Sequence, residues 1–151
     1  MVMTPALAET LAMVSEAASC ARNPWWIIGS AAVVLHGRSI DQVKDVDLVM
    51  SAPDGEEFLK RVGERPQSGK PNDRFRSLVF GTWTKPPIPV EVMAGFSVAT
   101  PDGWRDVALS TREEVTVQGQ RVYVPSVDEL IRLLRTFGRA KDHSRADLLQ
   151  D

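Results

Sequence analysis

Two aspartates separated by one apolar residue, Asp45-Val46-Asp47, are the side chains best placed to do chemistry in this chain. They fall within Lys-Asp-Val-Asp-Leu-Val-Met at 44–50, whose alternation predicts a strand. Successive strand side chains point to opposite faces, so Asp45 and Asp47 share one face while Val46 and Leu48 turn to the core. Carboxylates at i and i+2 repel each other, and Asp is a poor strand former. A cation between them removes the conflict. Such a pair suits Mg²⁺, or Mn²⁺ with the same oxygen preference, because these ions take one or two protein carboxylates and complete their shells with water and phosphate. A solvated strand face carrying two incidental acids has the same pattern, and the dipeptide alone does not separate the two readings.

Two further features bear on the choice. Ile28-Gly29-Ser30 closes a short apolar run and opens a helical one. Glycine there lets backbone approach a ligand, and unpaired N–H groups at a helix start attract anions. The Ser30 hydroxyl adds a donor, so the turn suits nucleotide phosphates; a tight corner that needs a small residue fits equally. Glu91, between Val90 and Val92, is the third acid. It can be an edge-strand residue facing water. If its strand neighbours 44–50, it can ligate a metal or take a proton in phosphoryl chemistry.

The elements that must position these residues follow from periodicity and breakers. Residues 4–22 read as a helix capped by Thr4 with Pro5 at its first position, its Leu7, Leu11, Val14 and Ala18 at helical spacing and Asn23-Pro24 as its stop. Trp25 to Ile28 read as a buried strand and 31–36 as a helix ended by Gly37. A helix over about 52–62 precedes a polar loop over 64–72. Residues 73–83 are a strand with Phe75, Leu78, Val79 and Phe80 as apolar members, 85–89 a proline-rich turn, and 90–93 another strand. Residues 113–124 predict a hairpin turned at Gln118-Gly119. Ser126 with Glu129 predicts a capping box on a helix bearing Leu130, Ile131, Leu133, Leu134 and Phe137, with Gly138 and a last helix over 141–149 behind it. This order predicts an α+β domain with a mixed β-sheet flanked by helices and a C-terminal helical segment.

Ile-Gly-Ser at 28–30, Asp-Val-Asp-Leu at 45–48 and Val-Glu-Val at 90–92 together resemble the three signatures of the polymerase-beta-type nucleotidyltransferase superfamily. Gly-Ser-Ala-Ala-Val-Val-Leu-His-Gly-Arg from 29, with Gly138-Arg139-Ala140-Lys141-Asp142 near the end, is similar to small bacterial nucleotidyltransferases related to abortive-infection toxins of toxin–antitoxin pairs. The likeness runs over about residues 25–150, and the third acid is Glu rather than Asp. It implies a nucleotidyltransferase fold over one minimal domain, 1–151. It also implies Asp45, Asp47 and Glu91 as metal-holding catalytic acids, and Gly29, Ser30, Arg139 and Lys141 as nucleotide-binding residues. The implied reaction moves a nucleoside monophosphate from a triphosphate such as ATP to an acceptor hydroxyl, with release of pyrophosphate. The acceptor stays open between an RNA 3′ end, a protein side chain and a small molecule. A non-catalytic nucleotide- or partner-binding module on the same fold, such as one half of a toxin–antitoxin pair, is the alternative.

Composition narrows the field. A chain of 151 residues, 43% hydrophobic and 25% charged, suits one compact domain. A net charge of −2 gives no overall basic field for nucleic acid. The single Cys20 cannot form an internal disulfide and reads as a small apolar filler on the first helix. His36 and His143 lack ligand-spaced partners, which argues against zinc. Trp25 and Trp26 read as core residues, Arg76 as an exposed strand arginine, and the arginines around 132–145 as a charged outer face. No apolar run approaches a membrane span and no signal-peptide pattern opens the chain, so a cytoplasmic protein is expected. No separate acceptor-binding domain is evident, so self-association or a protein partner is expected to help form the acceptor site.

Overall fold

The computed structural model describes residues 3–67 and 72–150. Helix α1 (Pro5–Ala17) starts where Thr4 Oγ1 accepts the Leu7 N–H at 3.1 Å. It gives way to a 3-10 turn (Ala18–Cys20) before the Asn-Pro stop, so the predicted helix over 4–22 ends earlier than expected. Cys20 lies exposed on that turn and is not the buried filler its type suggested.

Strand β1 (Trp26–Ile28) runs into helix α2 (Gly29–Leu35). Strand β2 (Val46–Met50) leads to helix α3 (Ala52–Arg61), whose N-cap Ser51 accepts the Asp54 N–H. The part of the predicted 64–72 loop at 68–71 lies outside the described residues. Strands β3 (Phe75–Trp83) and β4 (Val90–Thr100) pair antiparallel. The sheet order is β1-β2-β4-β3, with β5 (Gly103–Asp106) paired to the far end of β4. Only β2 and β4 are parallel, so the sheet is mixed, as expected.

Two departures come from tertiary burial. Alternation along 44–50 fails beyond Leu48, because Val49 and Met50 are both buried where the sheet is covered on both faces. Leu78, read as an apolar strand member, is 69% exposed. β4 runs seven residues past the predicted Met93 end, and β5 returns along it through Thr100-Pro101-Asp102-Gly103, a turn signal that sequence reading passed over.

Strands β6 (Glu113–Val117) and β7 (Gln120–Val124) form the predicted hairpin, with Gln118 at φ 50 and Gly119 at φ 77 as a two-residue turn of the primed kind. Helix α4 (Val127–Phe137) is capped by Ser126 as expected. Only half of the capping box forms. The Glu129 carboxylate leaves the helix end to accept the Ser110 and Thr111 N–H groups at 2.9 and 2.8 Å and both hydroxyls, pinning the loop that joins β5 to β6. Burial alone would raise Glu129, but those donors outweigh it and hold the carboxyl below its ordinary range. Asp54 is held down in the same way, since the Arg22 and Asn23 N–H groups at 3.1 and 2.8 Å, with Ser51, overcome its burial and tie α3 to the start of β1. Helix α5 (Ala140–Leu149) packs back against α2, where Arg38 Nε donates to the Leu148 carbonyl. No described helix is long and apolar enough to cross a membrane.

Candidate active site

The register between β2 and β4 decides where the acids stand. In this parallel pair Asp47 lies directly beside Glu91 and Val46 beside Val90. Neighbouring strands are about 4.8 Å apart, so side chains in register share a face. Asp45 precedes Val46, whose N–H donates to the Pro89 carbonyl at 2.9 Å, and so sits at the mouth of the same face. Asp45, Asp47 and Glu91 line one cavity of about 380 Å³ together with Ser30, Lys44, Lys141 and Arg145. The topology thus brings Glu91, distant in sequence, to one cavity with Asp45 and Asp47.

Gly29 joins the turn to the acids. Ile28 on β1 pairs with Asp47 on β2, which sets the next residue against the Asp47 side chain. A Cβ built on Gly29 would stand 2.5 Å from Asp47 Oδ2, and the residue holds φ +70. Any other side chain would displace the carboxylate and strain the backbone. The corner reading was therefore correct as far as it went, but what fills the corner is an acid. Ser30 is 5% exposed and lines the cavity, and the first turn of α2 has no side-chain cap, since Ile28 stands at its N-cap.

The electrostatics follow from this crowding. Burial, then Glu91, then Asp45 push Asp47 up to about 7 against the weaker pull of Arg145 and Arg139. Glu91 is raised too, by burial first and by Asp45, with Lys141 opposing. Helix α5 supplies these cations, with Lys141 and Arg145 at i and i+4 on one helix face. Arg139 donates from Nε and Nη2 to the fully buried Asp142 at 2.6 and 3.0 Å and lies over the Phe75 ring, 4.9 Å from its centroid. It borders the cavity with much of its hydrogen-bonding capacity committed. Arg145 and Lys44 were not singled out as site residues in the sequence. The i, i+4 spacing from Lys141 was the available signal for Arg145.

The donor set suits a hard divalent cation. It offers carboxylate oxygens, a recess made by a missing Cβ, and acids whose mutual repulsion a cation would relieve. Among the described residues no three His, Cys, Asp or Glu side chains are grouped so that they could hold one metal ion as they stand. A cation shared by all three acids would require at least one side chain to rotate.

A second cavity of about 450 Å³ opens from the first. Asp47, Glu91 and Arg139 border both, so these two acids stand at the junction of a polar half and an aromatic half, while Asp45 lines the polar half alone. Phe75, Phe80, Met93, Phe96 and Phe137 give this half its apolar, largely aromatic side, and Gln67, Asn72, Arg76 and Ser77 line much of the rest of it.

No family model matches the sequence, and no curated protein matches it. Solved structures do. A provisionally assigned nucleotidyltransferase of Thermotoga maritima aligns with a TM-score of 0.71 at 20% identity, covering 91% of this chain and 86% of that one. An antigenic nucleotidyltransferase-like protein from Paracoccidioides brasiliensis aligns at 0.60 and 16% identity, covering 97% and 75%. The antibiotic-resistance factor ANT(2'')-Ia, in complex with adenylyl-2''-tobramycin, aligns at 0.55 and 15% identity, covering 90% and 83%. The chain has the nucleotidyltransferase fold, the α+β architecture expected from its sequence.

Proposed function

We propose that this chain is a metal-dependent nucleotidyltransferase, a single minimal domain that moves a nucleoside monophosphate from a nucleoside triphosphate to an acceptor hydroxyl. The observation that carries the reading is the meeting of Asp45, Asp47 and Glu91 in one cavity with Lys44, Lys141 and Arg145, its Asp47 carboxylate seated in the recess at Gly29. The fold it shares with ANT(2'')-Ia, solved in complex with adenylyl-2''-tobramycin, is consistent with this reading.

Asp45 and Asp47 would hold Mg²⁺ or Mn²⁺, with Glu91 completing a second metal position or acting as base, and the metal would supply neutralisation of the charge that builds on the phosphate oxygens. Lys44, Lys141 and Arg145 bind the β- and γ-phosphates as point charges, with the Ser30 hydroxyl and the uncapped start of α2 as hydrogen-bond donors. As the base, Glu91, in register beside Asp47, would accept the acceptor hydroxyl's proton on a carboxylate oxygen. The hydroxyl oxygen then bonds to the α-phosphorus, the bond from that phosphorus to the bridging oxygen breaks, and pyrophosphate leaves. Arg139, held by Asp142, keeps positive charge at the junction without swinging away. The chain's contribution is positioning and charge, which dominate this reaction class.

Titrating ATP, GTP, CTP and UTP with Mg²⁺ into the protein by calorimetry tests the binding half. Binding of at least one triphosphate is expected, weakened by Asp47→Ala; no binding of any of the four refutes the reading.

A further inference from the structure

The two halves of the cleft differ in chemistry, and that difference bears on the acceptor. Taking the nucleotidyl-transfer reading as given, pyrophosphate leaves and the hydroxyl attacks on opposite sides of the α-phosphorus, because displacement at phosphorus is in line. The cationic half, with Lys44, Lys141 and Arg145, is where the anionic leaving group is stabilised. Asp47 and Glu91 stand at the junction, so the opposite side is the aromatic half.

That half is built from the site strand itself. Glu91 and Met93 are i and i+2 on β4 and share a face, and Phe80 on β3 pairs directly with Met93. Gly95 at φ +59 interrupts the alternation, and beyond it Phe96 also borders the cavity. Phe75, Phe96 and Phe137 pack on one another with ring centroids 5.0 to 6.0 Å apart, which closes one wall. A volume of about 450 Å³ is that of a small-molecule pocket. Its charged lining among the described residues is Asp47 and Glu91, already assigned to the metal and the proton, plus Arg76 and Arg139. Arg76 lies over the Trp104 ring, 4.5 Å from its centroid. Among the described residues no carboxylate is left over in this half to receive a polycation.

We propose that the aromatic half is the acceptor site, and that the acceptor is a small neutral or anionic hydroxyl compound with an aromatic or apolar body. A polycationic amino sugar does not fit these walls, although ANT(2'')-Ia shares the fold and was captured with a tobramycin product.

The test uses the full chain with Mg²⁺ and a triphosphate analogue that cannot be cleaved at the α–β bridge. Binding of p-cresol, 2-naphthol and 4-hydroxybenzoate is compared with binding of tobramycin by ligand-observed NMR. At least one aromatic probe should bind and tobramycin should not. Phe80→Asp and, as a second variant, Met93→Glu should weaken the aromatic probe by about tenfold or more. Binding of the triphosphate analogue should stay within about twofold of wild type, which also reports that each variant is folded. Tobramycin binding in preference to every aromatic probe overturns the proposal. So does binding of no aromatic probe, or loss of analogue binding in both variants, which would put the base in this half. Absence of analogue binding by the wild-type protein would instead refute the transfer reading.

Discussion

Replacing Asp47 with Asn removes one charge from a site where charges crowd. Burial, Glu91 and Asp45 lift the Asp47 carboxyl from the ordinary 3.8 to about 7. A folded-state value above the unfolded one means that this group's contribution is fully present below the unfolded value. It is lost as pH rises towards the folded one. Holding the carboxyl at about 7 rather than 3.8 costs the ionised folded state about 4 kcal/mol at 1.36 kcal/mol per pH unit. Salt and the half-buried position reduce that to ~2–3 kcal/mol. Asp47→Asn, close in shape and without the charge, should therefore stabilise the metal-free protein near pH 8. For a domain of this size the gain corresponds to a Tm higher by roughly 5–10 °C. The gain should shrink by more than half at about pH 5, where wild-type Asp47 is already protonated when folded. Scanning calorimetry in a chelator at both pH values checks this. Added Mg²⁺ should then raise the wild-type Tm near pH 8 and leave the variant unchanged, since only the former binds the ion tightly. A lower Tm for the variant near pH 8, or an equal change at both pH values, would refute the repulsion argument.

Other consequences follow from the same geometry. Gly29→Ala puts a Cβ where Asp47 Oδ2 now stands and leaves a non-glycine at φ +70. It should cost about 1–3 kcal/mol by denaturant unfolding and lower transfer by about tenfold or more. A variant as stable and active as wild type would contradict the placement of the Asp47 carboxylate. Glu129→Ala strips the partners from Ser110 and Thr111 and should cost about 2–3 kcal/mol. Glu129 lies low when folded, so its contribution is present above the unfolded value and lost as pH falls through the folded one. The cost of Glu129→Ala, read from urea midpoints, should therefore decline in acid.

Much of this was legible in the residues because local rules and the global fold agree. Thr4-Pro5, Gly119 and Ser126 each sit where their backbone preferences place them. The acid spacing in Asp45-Val46-Asp47 pointed to β2 as the strand of the candidate site. That Glu91 stands beside Asp47 could not be read, because register is a long-range choice made by burial of Val46, Leu48, Val90 and Val92. Glu129 matched a capping box, but the unpaired N–H groups of a distant loop competed for its carboxylate. The aromatic half was invisible for the same reason, since Phe75, Phe96 and Phe137 come from three separate elements. Arg145 was overlooked as one arginine among several, although its spacing from Lys141 placed it on the same helix face.

The most direct test of the account is label transfer from triphosphates carrying ³²P at the α or the γ position, incubated with cell extract and Mg²⁺. Wild-type protein should move the α label onto an acceptor and release the γ label as pyrophosphate. Asp45→Ala and Asp47→Ala should each lower transfer by about a hundredfold or more while keeping the wild-type circular dichroism. Transfer of the γ label, or full activity in either variant, would contradict it.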